Sequence, residues 1–318
     1  MTMRLERRDF RAMGTSCAIA TYARPADRAD ARRALAAARC EVAECERVLT
    51  RFDARSDLSR LNAAGGRWVE VDSRLAAALR AALRGRRDTG GRFDPTILPA
   101  LVAAGYDRTF DELDVRPARR VDGWPAGAGI FVDDDGRRAR VDAGAAVDLG
   151  GIGKGFSAER ALEAMCRSWP GLRSGFVDLG GDIAFFGAPP GASAWRIAVA
   201  DPRAPGRTLL TLRLVAAGVA TSGRDRRRFG PGRRLHHLID PTTGASSDMG
   251  PLAVTVVAPG ATEAETHATA LAISTLEQAN AHVARHPAIS ALYIPDAGQP
   301  VRLGPLPVMP QIRLAGAA

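Results

Sequence analysis

The arrangement of helix-like and strand-like stretches along the chain is the feature that most restricts its fold. Apolar residues recur at helical spacing from 26 to 49, and again from Leu75 until Gly90-Gly91 ends the pattern. The predicted strands lie at 175–179, 195–200, 208–214, 253–258 and 289–294. A predicted hairpin covers 128–142, and further predicted helices cover 155–168 and 261–277. Because helices and strands occur in mixed order, the sequence predicts an α+β fold rather than a regular doubly wound sheet.

Length and composition indicate a folded protein with a substantial core. The chain has 318 residues, 46% of them hydrophobic, and no linker divides it, so we expect one domain over residues 1–318, as one body or two fused halves. The net charge is +9, but basic and acidic residues are interspersed, so the charge does not predict a nucleic-acid partner. The charged N-terminal segment and the lack of a long apolar run predict a cytoplasmic protein with no membrane span.

The most glycine-rich segment, Asp148-Leu-Gly-Gly-Ile-Gly-Lys-Gly155, contains the only lysine of the chain, Lys154. It does not match a Walker A loop, because Gly155 follows the lysine, nor a GxGxxG motif, because Phe156 takes the last glycine position. Small residues at a helix start, with one ammonium, suit a pyrophosphate or a carboxylate. In a chain that otherwise uses arginine, the lysine indicates a site that needs a compact cation, although chance retention is the alternative.

A short internal repeat links this segment to a second one. Asp148-Leu-Gly-Gly151 recurs as Asp178-Leu-Gly-Gly181. If both segments end neighbouring strands, both glycine pairs open at the same sheet edge, where a ligand can approach the backbone closely. The alternative is two ordinary strand-ending turns.

Two further segments carry groups capable of chemistry. His237 begins a short strand that ends in the turn Asp240-Pro-Thr-Thr-Gly244, where the imidazole can act as a base or simply pack. Glu265 and Thr269 are four residues apart on a predicted helix, so their oxygens lie on one face and can share a hard cation. The alternative for Glu265 is a solvated carboxylate near a helix start.

Together, and in this order, these segments resemble the ApbE flavin transferase family over almost the full length. The matching segments are Met13-Gly-Thr15, Arg51-Phe-Asp53, Ser56-Asp-Leu-Ser-Arg-Leu-Asn62, Phe93-Asp-Pro-Thr96, the 148–155 segment, Leu179-Gly-Gly-Asp182, Trp195, Asp201-Pro202, Ala220-Thr-Ser-Gly223, the 237–244 segment and the helix from Glu265 to Thr269.

The resemblance implies two αβ halves with an FAD cleft between them, and a Mg²⁺-dependent transfer of FMN from FAD to a threonine of an acceptor flavoprotein, with release of AMP. It implies catalytic roles for His237, as the base that deprotonates the threonine, and for Lys154. The implied FAD-binding residues are Met13, Gly151, Lys154, Gly180, Gly181, Asp182, Thr221, Ser222, Gly223 and His237, and residues 221–223 are expected to form a turn. The implied metal ligands are the Gly153 carbonyl, Glu265 and Thr269.

Three positions depart from the family pattern, and one of them leads to an alternative to the transferase. This chain has Glu265 and Glu159 where the family has Asp, and Gly153 where the family has Ala. Glu265 is one methylene longer than Asp, whereas Mg²⁺ requires nearly octahedral geometry. One alternative is therefore an FAD-binding protein impaired in catalysis. The other does not depend on these positions: if water takes the place of the threonine, the same site is an FAD pyrophosphatase that gives FMN and AMP. The family is often periplasmic, whereas this chain shows no export signal.

Overall fold

The structure, a computed structural model, describes residues 2–109, 113, 126–225, 228–230 and 235–308. Up to residue 168 the elements are β1 Arg4–Ala12, β2 Thr15–Ala23, α1 Arg28–Leu49, α2 Asp57–Asn62, β3 Val69–Glu70, α3 Ser73–Asp88, α4 Leu98–Ala103, β4 Ile130–Val132, β5 Arg138–Val141 and α5 Gly153–Ser168. From residue 175 they are β6 Gly175–Leu179, β7 Ile183–Phe186, β8 Trp195–Ala200, β9 Thr208–Leu214, β10 Ala217–Gly223, β11 Arg228–Phe229, β12 Leu235–His236, β13 Ile239–Asp240, β14 Ala245–Ser246, β15 Ala253–Ala258, α6 Ala261–Leu271, α7 Leu276–Arg285, β16 Ser290–Ile294 and β17 Val301–Leu303.

The predicted α+β class is confirmed. The main sheet has the order β1-β2-β6-β7-β10-β15-β16-β17, with antiparallel neighbours throughout. A smaller sheet has the order β3-β5-β4 and contains the predicted hairpin. Of the helices in the described ranges, none combines the length and the apolar character that crossing a membrane requires.

Strand β15 shows how the main sheet is covered on both faces. Val254, Val256 and Ala258 pack in the cluster formed with α6 and α7. Ala253 and Val257 point the other way, into the cluster covered by the β8–β9 hairpin. Successive side chains of a strand point to opposite faces, so the unbroken apolar run of β15 follows from its burial on both sides. Each buried valine contributes roughly 1.5–3 kcal/mol relative to exposure.

Three expectations about the elements were wrong. The predicted helix 261–277 is broken, because α6 ends at Leu271 and Thr275 begins α7 with a capping box in which its side chain accepts from the Gln278 amide and the Gln278 side chain accepts from the Thr275 amide. The Asp148 segment does not end a strand, since it leads directly into α5, so only Asp178 fits the strand-end interpretation. The segment 221–223, expected to be a turn, belongs to β10 and pairs with β15.

Three of the five histidines of the chain form a cluster between α6 and α7. His267 Nδ1 and His282 Nε2 are 2.8 Å apart, and the ring centroids of His282 and His286 are 4.3 Å apart. Burial, followed by the charges of the neighbouring His267, His286, Arg285 and Arg92, lowers the pKa of His282 to about 3. The His282 imidazole is therefore neutral in the folded protein at every pH above about 4.

We expect the stability of the protein to fall as the pH drops below the ordinary histidine value of about 6.5. The unfolded chain then binds a proton that folded His282 does not, which costs up to about 1.4 kcal/mol per pH unit for this residue. Urea denaturation measures the free energy of unfolding at several pH values between 7 and 5. In His282→Leu this free energy should fall less steeply with pH, because the contribution of His282 is missing. An unchanged slope in His282→Leu would contradict the assignment.

Candidate functional site

A cavity of about 690 Å³ opens beside the ends of the central strands of the main sheet. Its wall includes residues of the α3–α4 segment, of the turn between β6 and β7, and of β7, β10, β15 and α6. All the residues predicted for the site line this cavity: Met13, Gly151, Gly153, Lys154, Gly180, Gly181, Asp182, Thr221, Ser222, Gly223, His237, Glu265 and Thr269. The fold thus brings together segments that are far apart in the sequence.

The single lysine holds two carboxylates at the centre of the cavity wall. Lys154 Nζ donates to Glu265 Oε1 at 2.8 Å and is also in contact with Asp182 Oδ2. Both carboxylate side chains are only 3% exposed, against 20% for the lysine side chain. Burial acts to lower the pKa of Lys154, but the charges of Asp182 and Glu265 outweigh it and raise the pKa above its ordinary value. Lys154 is therefore a permanently charged group that compensates two buried acids.

Glu265 also caps the helix that carries the lysine. Its Oε2 accepts a hydrogen bond from the Gly155 amide at 2.7 Å, in the first turn of α5. A carboxylate is favourable there, because the first amides of a helix lack backbone partners and carry partial positive charge. Burial raises the pKa of Glu265, whereas the ammonium and the amide stabilise its ionised form. Both carboxylate oxygens of Glu265 thus have donors.

The carbonyl groups of the glycine-rich segment differ in what they face. The Gly151 carbonyl accepts from Thr269 Oγ1 at 3.2 Å, across the gap between this segment and α6. The Gly153 carbonyl, which we predicted as a metal ligand, accepts from Ser157 Oγ at 2.6 Å within α5. The Gly151 carbonyl is therefore the one that adjoins the oxygen of Thr269. Among the described residues, no group of three or more His, Cys, Asp or Glu side chains is arranged to hold a metal ion.

The second glycine pair forms a tight turn between β6 and β7. The Gly181 amide donates to Asp178 Oδ1 at 2.7 Å, and Gly180 has a φ of +76°. A Cβ atom on Gly180 would lie 2.3 Å from Thr15 Oγ1, so the turn packs directly on the β1–β2 hairpin. That hairpin places Met13 at the cavity in the left-handed region, with its amide donating to Glu46 Oε1 at 2.6 Å.

Thr221 and His237 also line the cavity. Thr221 Oγ1 lies 2.9 Å from Thr255 Oγ1, across the β10–β15 pair. His237 follows β12 and is half-buried. Its neighbour His236 is buried, with Nε2 3.0 Å from the Ser247 carbonyl, which fixes the backbone just before His237.

Arg51 lines the cavity, although the sequence pattern assigned it no role. The Arg51-Phe-Asp53 segment was named only as one that matches the family. The Arg51 guanidinium pairs with Asp148 at 2.8 Å and lies 4.2 Å above the Phe52 ring and 4.8 Å from the Tyr106 ring. All four residues line the cavity. Nothing in the local pattern of residues 51–53 indicated that Asp148 would be the partner, because the contact joins positions far apart in the chain.

The arginine-rich run ahead of His237 is only partly described. Arg224 forms an ion pair with Asp296, and Arg228 Nε donates to the Arg224 carbonyl at 2.9 Å. Arg226, Arg227, Arg233 and Arg234 lie outside the described residues.

The fold and the cavity define an α+β protein with a large binding site beside an antiparallel sheet. A model of the ApbE family matches residues 13–293. The chain belongs to the ApbE family.

Individual relatives agree with this assignment. The chain is 32% identical over 310 residues to a FAD:protein FMN transferase of Treponema pallidum, covering 89% of this chain and 83% of the relative. It is 26% identical over 237 residues to one of Salmonella typhimurium, covering 72% and 67% of the two chains.

Solved structures resemble it throughout. The crystal structure of the ApbE protein from Thermotoga maritima has a TM-score of 0.82 and 27% identity, with 94% of this chain and 97% of that chain covered. The flavinyl transferase ApbE of Pseudomonas stutzeri, in its apo form, shares the fold with a TM-score of 0.78, 23% identity and coverage of 94% and 93%.

Two glycines in the first turn of α5 provide a matched test of the packing beneath the site. A Cβ atom on Gly155 would lie 2.3 Å from the Ala261 carbonyl oxygen, whereas one on Gly153 would meet no atom closer than 4.0 Å. We expect Gly155→Ala to lower the unfolding free energy by about 1–3 kcal/mol, as overpacking does. Gly153→Ala should leave stability unchanged or raise it by up to about 1 kcal/mol. Urea denaturation measures both, and equal stabilities would disprove the close contact.

Proposed function

We propose that this protein is a FAD:protein FMN transferase that moves the FMN part of FAD onto a threonine hydroxyl of an acceptor flavoprotein and releases AMP. The observation that carries the proposal is the convergence of the glycine-rich segment, Lys154, Asp182, Glu265 and His237 on one cavity in a member of the ApbE family. The relatives named as FAD:protein FMN transferases support the same activity. A volume of about 690 Å³ is within the range of cavities that bind small molecules and cofactors.

The reaction replaces the phosphoanhydride bond of FAD with a phosphoester bond to the threonine. The threonine oxygen forms a bond to the FMN phosphorus, and the bond from that phosphorus to the oxygen bridging to AMP breaks. The hydroxyl proton passes to a base, and AMP leaves with the bridging oxygen. Such a transfer depends mainly on alignment and on stabilising the negative charge of the phosphates.

In this proposal His237 is the base. It lines the cavity, and the buried His236 beside it, bonded to Ser247, holds the backbone that positions it. An imidazole can take up and release a proton near neutral pH, as a general base must. Lys154 supplies a permanent positive charge, and the glycine-rich segment lets phosphate oxygens approach the backbone closely.

Magnesium fits the donor chemistry of the cavity. Mg²⁺ prefers hard oxygen ligands, and Glu265, Thr269 and a carbonyl of the glycine-rich segment, from Gly153 or Gly151, offer them. When bound, the ion supplies neutralisation of phosphate charge. Because Lys154 holds both Asp182 and Glu265, a carboxylate that binds the ion must loosen its contact with the ammonium.

We expect His237→Ala to lower the transfer rate by about 100- to 10,000-fold while leaving FAD affinity within a few-fold of the wild type. The test incubates the protein with FAD, Mg²⁺ and a candidate acceptor that carries a threonine in a short Ser/Thr-containing motif. Intact mass of the acceptor and released AMP are measured, and calorimetry gives FAD affinity. Release of AMP with no mass gained by any acceptor would favour the pyrophosphatase, and full transfer by His237→Ala would exclude the histidine as the base.

The role of Glu265 is tested against another glutamate of the same helix. Glu263 is 43% exposed beside His267 and does not line the cavity. We expect Glu265→Gln to weaken Mg²⁺ binding by at least about 10- to 100-fold, because a ligand charge is lost, and Glu263→Gln to have no such effect. Calorimetric titration of Mg²⁺ in the presence of FAD measures this directly. A large gain of transfer activity in Glu265→Asp would instead support the FAD-binding protein that is impaired in catalysis.

A further inference from the structure

The two helices that carry Lys154 and Glu265, α5 and α6, each begin without a cap from the side chain of the residue before them. The first amides of a helix lack backbone partners, so they need acceptors from elsewhere. The Gly155 amide, in the first turn of α5, donates to Glu265 of α6 at 2.7 Å. The Thr262 amide, in the first turn of α6, donates to Glu159 of α5 at 3.2 Å. Each helix start is therefore capped by a glutamate of the other helix.

Glu159 uses both of its carboxylate oxygens on the start of α6. Its Oε1 accepts from the Thr262 amide, and its Oε2 accepts from the Thr262 hydroxyl. A Cβ atom on Gly260 would lie 2.1 Å from Glu159 Oε1, so the glycine leaves room for the carboxylate. Among the described residues, no cationic side chain forms an ion pair with Glu159. The helix start is thus the partner of this carboxylate, and its amides favour a negative charge.

The other polar contacts between α6 and the α5 region involve the proposed metal ligands. Glu265 contacts the lysine and the first turn of α5, and the Thr269 hydroxyl donates to the glycine-rich segment at 3.2 Å. An ion that binds these oxygens competes with their present partners within the protein. In the described ranges, the bonds from Thr262 to Glu159 are the polar contacts across this gap that use no proposed ligand. They can therefore persist while the others change.

Resting on the proposed function, we propose that Glu159 is a positioning residue for the magnesium site. By holding the start of α6, it keeps Glu265 and Thr269 beside the glycine-rich segment while their contacts within the protein give way. Less than one turn of helix separates Thr262 from Glu265, so a movement of the helix start displaces the ligand. Glu159 does not line the cavity, so it acts through α6 and not by touching the substrate.

The test compares two variants that weaken this contact with one that does not touch it. Glu159→Ala removes both bonds, and Thr262→Val removes the hydroxyl donor but keeps the amide and the shape of the side chain. Glu163→Ala is the control, because Glu163 lies one turn further along α5, is 57% exposed and pairs with Arg167 of the same helix. Calorimetry measures FAD affinity with EDTA present, and then Mg²⁺ affinity in the presence of FAD. Transfer is assayed over a range of Mg²⁺ concentrations, and circular dichroism verifies that each variant is folded.

We expect Glu159→Ala to weaken Mg²⁺ binding by about 10- to 100-fold, Thr262→Val to weaken it less, and Glu163→Ala to leave it unchanged. FAD affinity without metal should stay at the wild-type value in all three variants. A higher Mg²⁺ concentration should restore transfer by Glu159→Ala. A role in folding alone would not separate the two affinities in this way.

Wild-type Mg²⁺ affinity in Glu159→Ala would overturn this inference and leave the proposed function intact. An equal loss of FAD and Mg²⁺ binding would overturn it too, because it indicates a general structural role. If Glu159→Ala does not fold, Thr262→Val decides between the same outcomes. If the wild-type protein transferred no FMN and bound no Mg²⁺ in the presence of FAD, the proposed function would fail and this inference with it.

Discussion

The contact of one ammonium with two buried carboxylates is the interaction on which the rest of the site depends. Lys154 comes from the first turn of α5, Asp182 from the β6–β7 turn and Glu265 from α6, so the contact joins three elements. Two carboxylates that are 3% exposed cannot remain ionised without a cation, because burying an uncompensated charge costs several kcal/mol. The lysine therefore sets the relative positions of the two helices and the sheet as much as it prepares a binding site.

Close backbone packing makes that contact possible. A Cβ atom on Gly218 of β10 would lie 2.1 Å from the backbone at the start of α6, and one on Gly155 would lie 2.3 Å from the Ala261 carbonyl on the same helix. Glu159 reaches the same helix start, where it accepts from the Thr262 amide at 3.2 Å. The start of α6 is thus held between α5 and β10, which places Glu265 within reach of both Lys154 and the Gly155 amide. A larger residue at either glycine would push the helix, and its carboxylate, away from the lysine.

The sequence predicted the parts of the fold whose signals are local. The apolar run of β15 correctly indicated a strand, because burial on both faces requires apolar residues at successive positions. The small residues before α5 correctly indicated a turn that leads into a helix. The break after α6 also had a local signal, the Thr275-Leu-Glu-Gln278 capping box, which the continuing apolar period obscured. Strand β1 had little local signal in the sequence, because an exposed edge strand rich in charge lacks the alternating apolar pattern. The pairing of Arg51 with Asp148 joins distant segments, so only the structure reveals it.

The choice of lysine at this position follows from the geometry. The single nitrogen of the Lys154 side chain, which is 20% exposed, contacts Glu265 and Asp182 at once, from a helix start where the next amide is already bonded to Glu265. A guanidinium is larger and planar, and it pairs best with one carboxylate edge-on, so it would separate the two acids rather than bridge them. The arginine at 51 shows the contrast within the same cavity, because it pairs with one carboxylate and lies against two aromatic rings. The three-way contact therefore gives a structural reason for a compact ammonium at the single lysine of this arginine-rich chain.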